Sequence, residues 1–357
     1  MKILFIAGGT GGHVYPALSI SREFKGKENH ISWIGKENSL EEKLCEEEGY
    51  EFYSIQGRGF LGKGLLGKTI SLYFFAFALV KSAILLIKIR PDFIISTGGY
   101  ISLAPSLLGS LFYPLFIHEQ NSIAGLTNKI LHRFAKISFE AFPDTFNRSN
   151  RKTLFVGNPV RKEIFNYSRQ VKEEDSNFNI LVLGGSQGSK QINDILMNIL
   201  LHCSIPSGWS FLHQAGKLDS TLLKAAYEDS GVHFEIKEFI ENMPEVYKFS
   251  DLIISRSGAM TVSEICAVGK PSVLLPLPWA SDNHQYMNAK YLEDKGAAEI
   301  VVSDVSNSEA LFKLLIDLEN DHNRRESMGQ KASLVFPPNT SKSICKTINE
   351  SLKIQIK

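Results

Sequence analysis

Three glycine-containing turns are the part of this 357-residue chain best suited to chemistry. They are Gly8–His13 (GGTGGH), Gly184–Ser189 (GGSQGS) and the turn at Ser257-Gly258, each after an apolar run and before a helical pattern. Backbone N–H groups at a helix N-terminus attract phosphate oxygens, and glycine lets a ligand approach the backbone. The turns therefore predict phosphate or nucleotide binding, and an ordinary α/β crossover is the alternative.

Two titratable side chains lie next to these turns. Glu264 lies one turn into the helix predicted after Ser257-Gly258, where a carboxylate can accept hydrogen bonds from both hydroxyls of a ribose. His13 directly follows the first turn, where a neutral imidazole can take up a proton near pH 7. The structural alternatives are a solvated Glu264 and a His13 that caps the helix or binds a backbone carbonyl. The GGTGGH spacing is not GxGxxG, and no acidic residue follows at the ribose position, so NAD binding is not indicated.

Apolar runs predict the strands that position the first-half residues. Ile3–Ala7, Asp92–Thr97 and Leu115–His118 are predicted as buried parallel strands. They are followed by GGTGGH, by Gly98-Gly99-Tyr100 and by Glu119-Gln120-Asn121. Ligands of open parallel sheets bind beyond the carboxyl ends of the strands. We therefore expect the three segments to form one floor of a ligand site.

The second half repeats the arrangement of strand, glycine-rich turn and helix from Asn179 onward. The sequence thus predicts an α/β protein with two Rossmann-like domains, each with a parallel sheet, that face each other across a cleft. We place the domains at 1–160 and 161–336, with the polar stretch Tyr167–Asn179 as an interdomain loop. A C-terminal helix at about 337–357 can cross back onto the first domain. Further strands are expected at Ile180–Leu183, Trp209–Gln214, Val232–Phe239, Asp251–Ser255 and Ser272–Leu275.

Composition excludes several classes of protein. Apolar residues make up 43% and charged residues 22%, as in ordinary globular proteins. The 39 basic residues balance the 38 acidic ones, so nothing indicates a nucleic-acid partner. The cysteines have no metal-ligand spacing, which favours reduced thiols in a cytoplasmic protein. The N-terminal MKILFIAGG is too short for a signal peptide and is predicted as a first strand.

One apolar stretch has two interpretations. Gln56–Lys68 is predicted as a basic, glycine-rich loop, and Ile70–Ile89 is apolar with Lys81 near its middle. The stretch is either a core helix that is apolar nearly all round, or a helix whose outer face rests on an anionic membrane. Lys81 and the basic flanks argue against a transmembrane span.

The motifs together, in order, resemble the MurG family of bacterial cell-wall glycosyltransferases over almost the whole chain. They are GGTGGHVYPAL, GGY, HEQN, GNPVR, GGSQGS, EFI, and SGAMTVSE followed by DNHQYMNA. The resemblance implies a glycosyltransferase-B fold and transfer of N-acetylglucosamine (GlcNAc) from UDP-GlcNAc to the lipid-linked muramyl-pentapeptide lipid I, giving lipid II. It also implies a peripheral protein on the cytoplasmic face of the inner membrane, with an anionic membrane surface as a partner. We expect no cofactor and no metal, because no DxD-like carboxylate pair accompanies a glycine-rich turn.

The resemblance implies an acceptor site in the first half. His13 matches the general-base candidate of the family, and Tyr100 and Glu119 lie near the proposed acceptor site as further catalytic candidates. Asn121 matches a position that binds GlcNAc. The loop that approaches sugar and acceptor is matched by Thr10, Gly11 and Gly12.

The resemblance implies a UDP-GlcNAc site in the second half. Glu264 matches the ribose carboxylate, Ile240 the backbone contact to uracil, and Arg161 a position at the nucleotide-sugar site. Gln285 matches a GlcNAc-binding position and is kept, although the family has a second glutamine where this chain has His284. The diphosphate positions and the turn around them are matched by Ser186, Ala259, Met260, Thr261, Val262 and Ser263.

Two other functions remain open at this point. One is a related UDP-sugar enzyme of the same fold, such as a UDP-GlcNAc 2-epimerase or a glycolipid synthase. The other is a non-catalytic subunit that binds a nucleotide sugar or serves as a membrane scaffold. An epimerase would act on UDP-GlcNAc without a lipid, and a scaffold would bind it without turnover.

Overall fold

A computed structural model describes residues 1–26, 28–56, 65–146, 152–164, 177–185, 187–217, 220–278 and 283–353. The chain divides into two compact units. The first contains Met1–Pro159 and Pro338–Lys357, and the second contains Val160–Pro337. The predicted loops at Gln56–Lys68 and Tyr167–Asn179, and the predicted site residue Ser186, lie wholly or largely outside the described residues.

The first unit is built on a sheet of seven parallel strands in the order β3-β2-β1-β4-β5-β6-β7. β1, β4 and β5 are apolar runs buried on both faces, as expected for central parallel strands. The strands are β1 Lys2–Ala7, β2 His30–Gly35, β3 Glu51–Ser54, β4 Phe93–Gly98, β5 Leu115–Glu119, β6 Ile137–Glu140 and β7 Thr153–Phe155.

Helices cover both faces of this sheet. On one face, Phe5, Phe93 and Phe116 pack with side chains of α1 and with Ile344 and Ile348 of the C-terminal helix. On the other face, the strands pack against the inner side of α3. The helices of this unit are α1 Gly11–Glu23, α2 Leu40–Glu48, α3 Leu65–Ile89, α4 Leu103–Gly109, α5 Leu126–Leu131 and, near the C-terminus, α13 Thr340–Lys353, and a 3-10 turn spans Tyr100–Ser102.

The second unit is built on a sheet of six parallel strands in the order β10-β9-β8-β11-β12-β13. The strands are β8 Phe178–Leu183, β9 Trp209–Gln214, β10 His233–Lys237, β11 Leu252–Ser255, β12 Ser272–Leu274 and β13 Glu299–Ile300. The helices are α6 Lys190–His202, α7 Thr221–Ser230, α8 Met243–Phe249, α9 Ala259–Val268, α10 His284–Glu293, α11 Ser308–Asn320 and α12 His322–Ser333. The predicted α/β class with two parallel sheets is confirmed.

Several boundaries differ from those predicted. α1 begins at Gly11, so the second half of the GGTGGH turn is the first turn of a helix. α3 begins at Leu65, inside the predicted basic loop. The C-terminal helix predicted at about 337–357 is α13, which begins at Thr340, just after Pro337-Pro338.

α3 has apolar residues on both sides, but only one side is buried in the core, so it is not a core helix. Its inner side is buried through Leu85, Leu86 and Ile89, whereas Val80, Ile84 and Ile87 are between 61% and 68% exposed. Among the helices that the structure describes, none combines the length and apolar character required to cross a bilayer.

Candidate active-site residues in the two units

The predicted first-half segments meet at one edge of the first sheet. β1, β4 and β5 are neighbours and run parallel, so their carboxyl ends lie side by side. The turn after β1 contacts the turn after β4, where Gly99 has φ +89° and a Cβ atom would collide with the carbonyl oxygen of Gly8. Glycine at position 99 is therefore required for these two turns to approach each other.

His13 lies in the first turn of α1, next to the ends of β4 and β5. Its Nδ1 lies 3.0 Å from the carbonyl oxygen of Thr97 and 2.9 Å from Oε1 of Gln120. Thr97 also donates from Oγ1 to the carbonyl oxygen of His13, at 2.8 Å. Both partners of Nδ1 are acceptors, so Nδ1 carries the proton and Nε2 of the neutral ring has a lone pair. His13 thus makes the backbone-carbonyl contact of the structural alternative and keeps a basic nitrogen.

A pocket of about 290 Å³ adjoins His13. Tyr100 is 40% exposed at its edge, and Leu103 and Leu126 add apolar surface. The predicted loop residues Thr10 and Gly12 are exposed, and Gly11 is half-buried. Thr10 is the N-cap of α1 but makes no side-chain capping bond.

Glu119 ends β5 and is buried beneath the following loop. Its Oε1 accepts from the backbone N–H and the side-chain amide of Asn121, at 3.0 and 3.3 Å. Its Oε2 accepts from the backbone N–H of Gly125 at 3.1 Å and from the amide of Asn128 at 2.9 Å. Four donors fill the usual acceptor capacity of a carboxylate. The structure thus shows a positioning role for Glu119, and its part in catalysis stays a prediction.

In the second unit, Glu264 lies between an arginine and a tyrosine. Nη2 of Arg161 donates to Oε1 at 3.2 Å, and the hydroxyl of Tyr247 donates to Oε2 at 3.0 Å. Burial raises the pKa of Glu264, while Arg161 and Tyr247 act in the opposite direction. Burial and the neighbouring Glu264 raise the pKa of Tyr247 well above its usual value, so its hydroxyl remains a donor. The carboxylate is held from two sides.

The glycine turn before α9 presents backbone rather than side chains. Gly258 is the N-cap with extended backbone, and no side chain caps the helix there. The buried amide of Asn288 donates to the carbonyl oxygen of Ser257 at 3.1 Å and holds the turn. Val262 and Ser263 are buried, and Ser263 donates to the carbonyl oxygen of Ala259. Of the predicted diphosphate positions, Val262 and Ser263 are thus enclosed, and the backbone N–H of Val262 already donates to the carbonyl oxygen of Gly258, whereas Met260 and Thr261 are half-buried.

The turn after β8 is held by a side-chain cap and a buried arginine. Ser189 accepts from the backbone N–H of Ile192 at the start of α6, at 3.3 Å. The guanidinium of Arg256 donates to the carbonyl oxygen of Leu275, to Ser303 and to Oε1 of Gln191, at 2.8, 2.7 and 2.5 Å. Burial lowers the pKa of Arg256 to about 10, so it stays charged at pH 7. Arg256 therefore ties the start of α6 to the end of the sheet.

Of the two remaining predicted positions, Ile240 lies in a loop and Gln285 lies in a helix. Ile240 is buried after β10 and lines a groove of about 560 Å³ together with the exposed Phe239. Gln285, in the first turn of α10, accepts through Oε1 from the backbone N–H of Leu277 at 2.9 Å. Gln285 therefore supports the segment after β12 in this structure, and its contact with GlcNAc stays a prediction.

The described residues contain no group of three or more His, Cys, Asp or Glu side chains placed to hold a metal ion. The four cysteines are free thiols, as predicted. Burial raises the pKa of Cys45 to about 12, with smaller contributions from nearby glutamates, so this thiol is neutral at pH 7.

Sequence reasoning missed Gln120, Tyr247 and Arg256. The alternation of β5 carried a signal for the first, because His118 and Gln120 are two residues apart and lie on the same side of an extended segment, opposite Glu119. Tyr247 lies on α8 and Arg256 follows β11, and their spacing from Glu264 and Gln191 has no local regularity. Only the packed unit brings those pairs together.

Two parts of the chain match known domain families. Residues 3–139 match the glycosyltransferase family 28 N-terminal domain, and residues 179–347 match the glycosyltransferase family 28 C-terminal domain.

Individual proteins are similar over nearly the full length. The chain is 36% identical over 335 residues to the UDP-N-acetylglucosamine--N-acetylmuramyl-(pentapeptide) pyrophosphoryl-undecaprenol N-acetylglucosamine transferase of Shewanella frigidimarina, covering 93% of this chain and 91% of that one. The crystal structure of Acinetobacter baumannii MurG superposes with a TM-score of 0.82 and 32% identity, covering 98% and 99% of the two chains. A UDP-GlcNAc 2-epimerase from Neisseria meningitidis, bound to UDP-GlcNAc, shares the fold at a TM-score of 0.68 and 16% identity, covering 98% and 100% of the two chains.

Proposed function

We propose that this chain, which belongs to the MurG family of glycosyltransferases and has their glycosyltransferase-B architecture, transfers GlcNAc from UDP-GlcNAc to the C4 hydroxyl of the muramyl sugar of lipid I. The products are lipid II, a precursor of peptidoglycan, and UDP. The observation that carries the assignment of roles is the position of His13 beside the first-unit pocket, with Nδ1 bonded and Nε2 left as the basic nitrogen.

The reaction is a single displacement with inversion. The muramyl C4 oxygen attacks the anomeric carbon of GlcNAc and gives its proton to Nε2 of His13, while the bond from that carbon to the UDP oxygen breaks. A general base of this kind contributes about 100- to 10,000-fold to a rate. Tyr100 contacts the acceptor in this proposal, which its exposed position at the pocket edge supports, and Glu119 supports the loop that carries Asn121.

The second unit supplies the donor site. The ribose hydroxyls of UDP donate to the carboxylate of Glu264, which Arg161 and Tyr247 hold in position. Backbone N–H groups at the start of α9 and at the turn after β8 stabilise the charge that develops on the leaving diphosphate. Ile240 contributes its backbone to uracil, and Gln285 contacts the GlcNAc.

A steady-state assay tests this function directly. UDP release from UDP-GlcNAc is measured with and without a lipid I analogue, in buffer with and without a chelator. We expect release and a disaccharide product only when the analogue is present, and equal rates with the chelator. Release without the analogue would indicate an epimerase or hydrolase, and binding without release would indicate a scaffold.

We also propose that α3 docks the protein on the cytoplasmic face of the inner membrane. Val80, Ile84 and Ile87 form an exposed stripe at helical spacing, and the turn after α4 adds Phe112, which is 72% exposed. This turn follows α4, which packs against α3. An exposed apolar stripe marks an interaction site, and the exposed Lys88 beside it suits anionic lipid.

Vesicle sedimentation tests this docking surface. We expect the wild type to bind phosphatidylglycerol vesicles at low salt, and the Ile84→Ser/Ile87→Ser variant to bind about tenfold more weakly, since each side chain loses apolar burial in the membrane. The matched control is Leu222→Ser/Leu334→Ser, which removes two exposed leucines of the second unit. Equal binding by the α3 variant and the wild type would contradict the proposal.

A further inference from the structure

A chain of neutral hydrogen-bonding groups runs from the backbone after β7 to His13. His118 Nε2 lies 3.0 Å from the carbonyl oxygen of Gly157, and His118 Nδ1 lies 3.1 Å from Nε2 of Gln120. Gln120 Oε1 then lies 2.9 Å from Nδ1 of His13. His118 and Gln120 are both buried. The reaction described above uses neither of them directly.

The carbonyl at one end determines the direction of every bond. A carbonyl oxygen only accepts, so His118 carries its proton on Nε2 and its Nδ1 is the acceptor. The amide nitrogen of Gln120 must then face His118, where it also donates to the carbonyl oxygen of His118 at 2.9 Å. The amide oxygen of Gln120 is left facing His13, which must donate from Nδ1.

Two asparagine side chains hold the backbone of the segment that carries His118 and Gln120. The amide of Asn158 donates to the carbonyl oxygen of Gln120 at 3.0 Å, and the amide of Asn128 donates to that of His118 at 3.1 Å. A reversed Gln120 amide would place its oxygen against two acceptors of His118 and its nitrogen against Nδ1–H of His13. Burial lowers the pKa of His118 to about 4, so this ring is neutral at pH 7 and its Nδ1 can accept.

We propose that His118 and Gln120 are positioning residues that fix the tautomer and the ring orientation of His13, so that the lone pair of Nε2 is available to the acceptor hydroxyl. The inference rests on the proposed role of His13 as the base. The carbonyl oxygen of Thr97 is a second acceptor for Nδ1–H of His13. The side chains of His118 and Gln120 therefore add to a preference for the Nδ1–H tautomer that this carbonyl already favours.

The hydrogen-bond chain from Gly157 to His13 acts as a unit, and breaking it should affect turnover rather than donor binding. Groups that orient a catalytic or metal-bound imidazole typically contribute about 10- to 100-fold or more. We expect Gln120→Met and His118→Phe each to lower kcat by about 10- to 100-fold and to leave KM for UDP-GlcNAc within about twofold. The kcat of the double variant should equal that of the less active single variant, because either substitution already breaks the hydrogen-bond chain.

Nitrogen NMR of the histidine rings can identify the tautomer of His13 without the enzymatic reaction. Protein labelled with 15N-histidine contains nine histidines, and His13 is assigned from the signals that His13→Ala removes. We expect wild-type His13 to show a protonated Nδ1 and an unprotonated Nε2 at pH 7.5, and Gln120→Met to show signals of the second tautomer. The matched control is His213→Phe, which removes another buried histidine, bonded to Tyr227 and Asn193 in the second unit; it should leave the His13 signals unchanged.

Either of two results would overturn the proposal: wild-type His13 protonated on Nε2, or Gln120→Met with wild-type signals and wild-type kcat. Multiplicative losses in the double variant would also contradict a single chain. Normal turnover by His13→Ala would instead overturn the role of His13 as base, and the wild-type spectrum would still test the hydrogen-bond chain by itself.

Discussion

The two candidate sites hold their central side chains by opposite electrostatic means. In the first unit, Nδ1 of His13 is bonded to the neutral amide of Gln120 and to the carbonyl oxygen of Thr97, and the imidazole of His118 bonds Gln120 in turn. In the second, Glu264 is held by an ion pair with Arg161 and a hydrogen bond from Tyr247. Burial disfavours charge in both places, since it lowers the pKa of His118 and raises that of Glu264. Arg161 opposes this effect at Glu264, and the carbonyl oxygen of Gly157 and the Glu119 carboxylate oppose it less effectively at His118, whose pKa still falls to about 4.

The difference matches the chemistry proposed for each site. A general base needs a free lone pair before it takes a proton, and the acceptors bonded to Nδ1 of His13 leave that lone pair on Nε2. A carboxylate that receives ribose hydroxyls must be ionised, and Arg161 favours the ionised state. Burial thus keeps His118 neutral in the first site, whereas in the second site Arg161 favours the ionised form of Glu264 against burial.

The largest expected effect comes from removing the base. His13→Ala should lower kcat by about 100- to 10,000-fold, because the group that takes the proton in the proposed reaction is lost, while KM for UDP-GlcNAc stays nearly unchanged. Steady-state UDP release with a lipid I analogue measures both. The control is His30→Ala, an exposed histidine on β2 that pairs with Glu51, which should retain full turnover.

A second substitution tests the charge of the other site. Glu264→Gln should weaken UDP-GlcNAc binding by about 10- to 100-fold, since hydrogen bonds to a charged acceptor contribute about 1.5–3 kcal/mol. Isothermal titration calorimetry measures the dissociation constant. Glu228→Gln, which removes an exposed ion pair with Lys224 on α7, is the charge-matched control. Unchanged affinity of Glu264→Gln for UDP-GlcNAc would contradict the proposal that Glu264 binds the ribose hydroxyls.

Acid should destabilise both units through their buried histidines. Burial lowers the pKa of His118 to about 4 and that of His213 to about 3, while an unfolded histidine titrates near about 6.5. Between pH 7 and 5 the unfolded chain gains protons that the folded chain does not, so stability falls by about 2 kcal/mol for each histidine at pH 5. Urea unfolding at pH 7 and at pH 5 measures the loss of stability. His118→Phe and His213→Phe should each lose about 2 kcal/mol less than the wild type, because each lacks one of these histidines. A loss as large as that of the wild type in both variants would show that these rings are protonated in the folded state.

The smallest effect should come from Tyr247. Tyr247→Phe removes one hydrogen bond to Glu264 and should weaken UDP-GlcNAc binding by about threefold to tenfold, given about 1 kcal/mol for such a bond. In the Glu264→Gln background the same substitution should have little further effect, because the two residues act together. Additive losses in this double-mutant cycle would mean that Tyr247 does not act through Glu264.

Much of the fold follows from local patterns. The apolar runs Ile3–Ala7, Leu115–His118 and Ile180–Leu183 predicted central strands, and each lies within a strand of the structure. The short strands β3, β6 and β13 were not predicted, because two to four residues carry too little periodicity. Helix boundaries were less accurate, as at Gly11, where the glycines that suggested a turn are part of α1.

What the sequence alone determined was the α/β class, the order of strand, glycine turn and helix, and the family resemblance, because these depend on residue type and spacing along the chain. Tertiary structure decided which side chains meet. The chain from Gly157 through His118 and Gln120 to His13 joins three separate segments, Tyr247 reaches Glu264 from another helix, and the outer side of α3 stays exposed. Such contacts depend on the direction of each side chain in a packed unit, and that direction is set by distant residues rather than by neighbours in sequence.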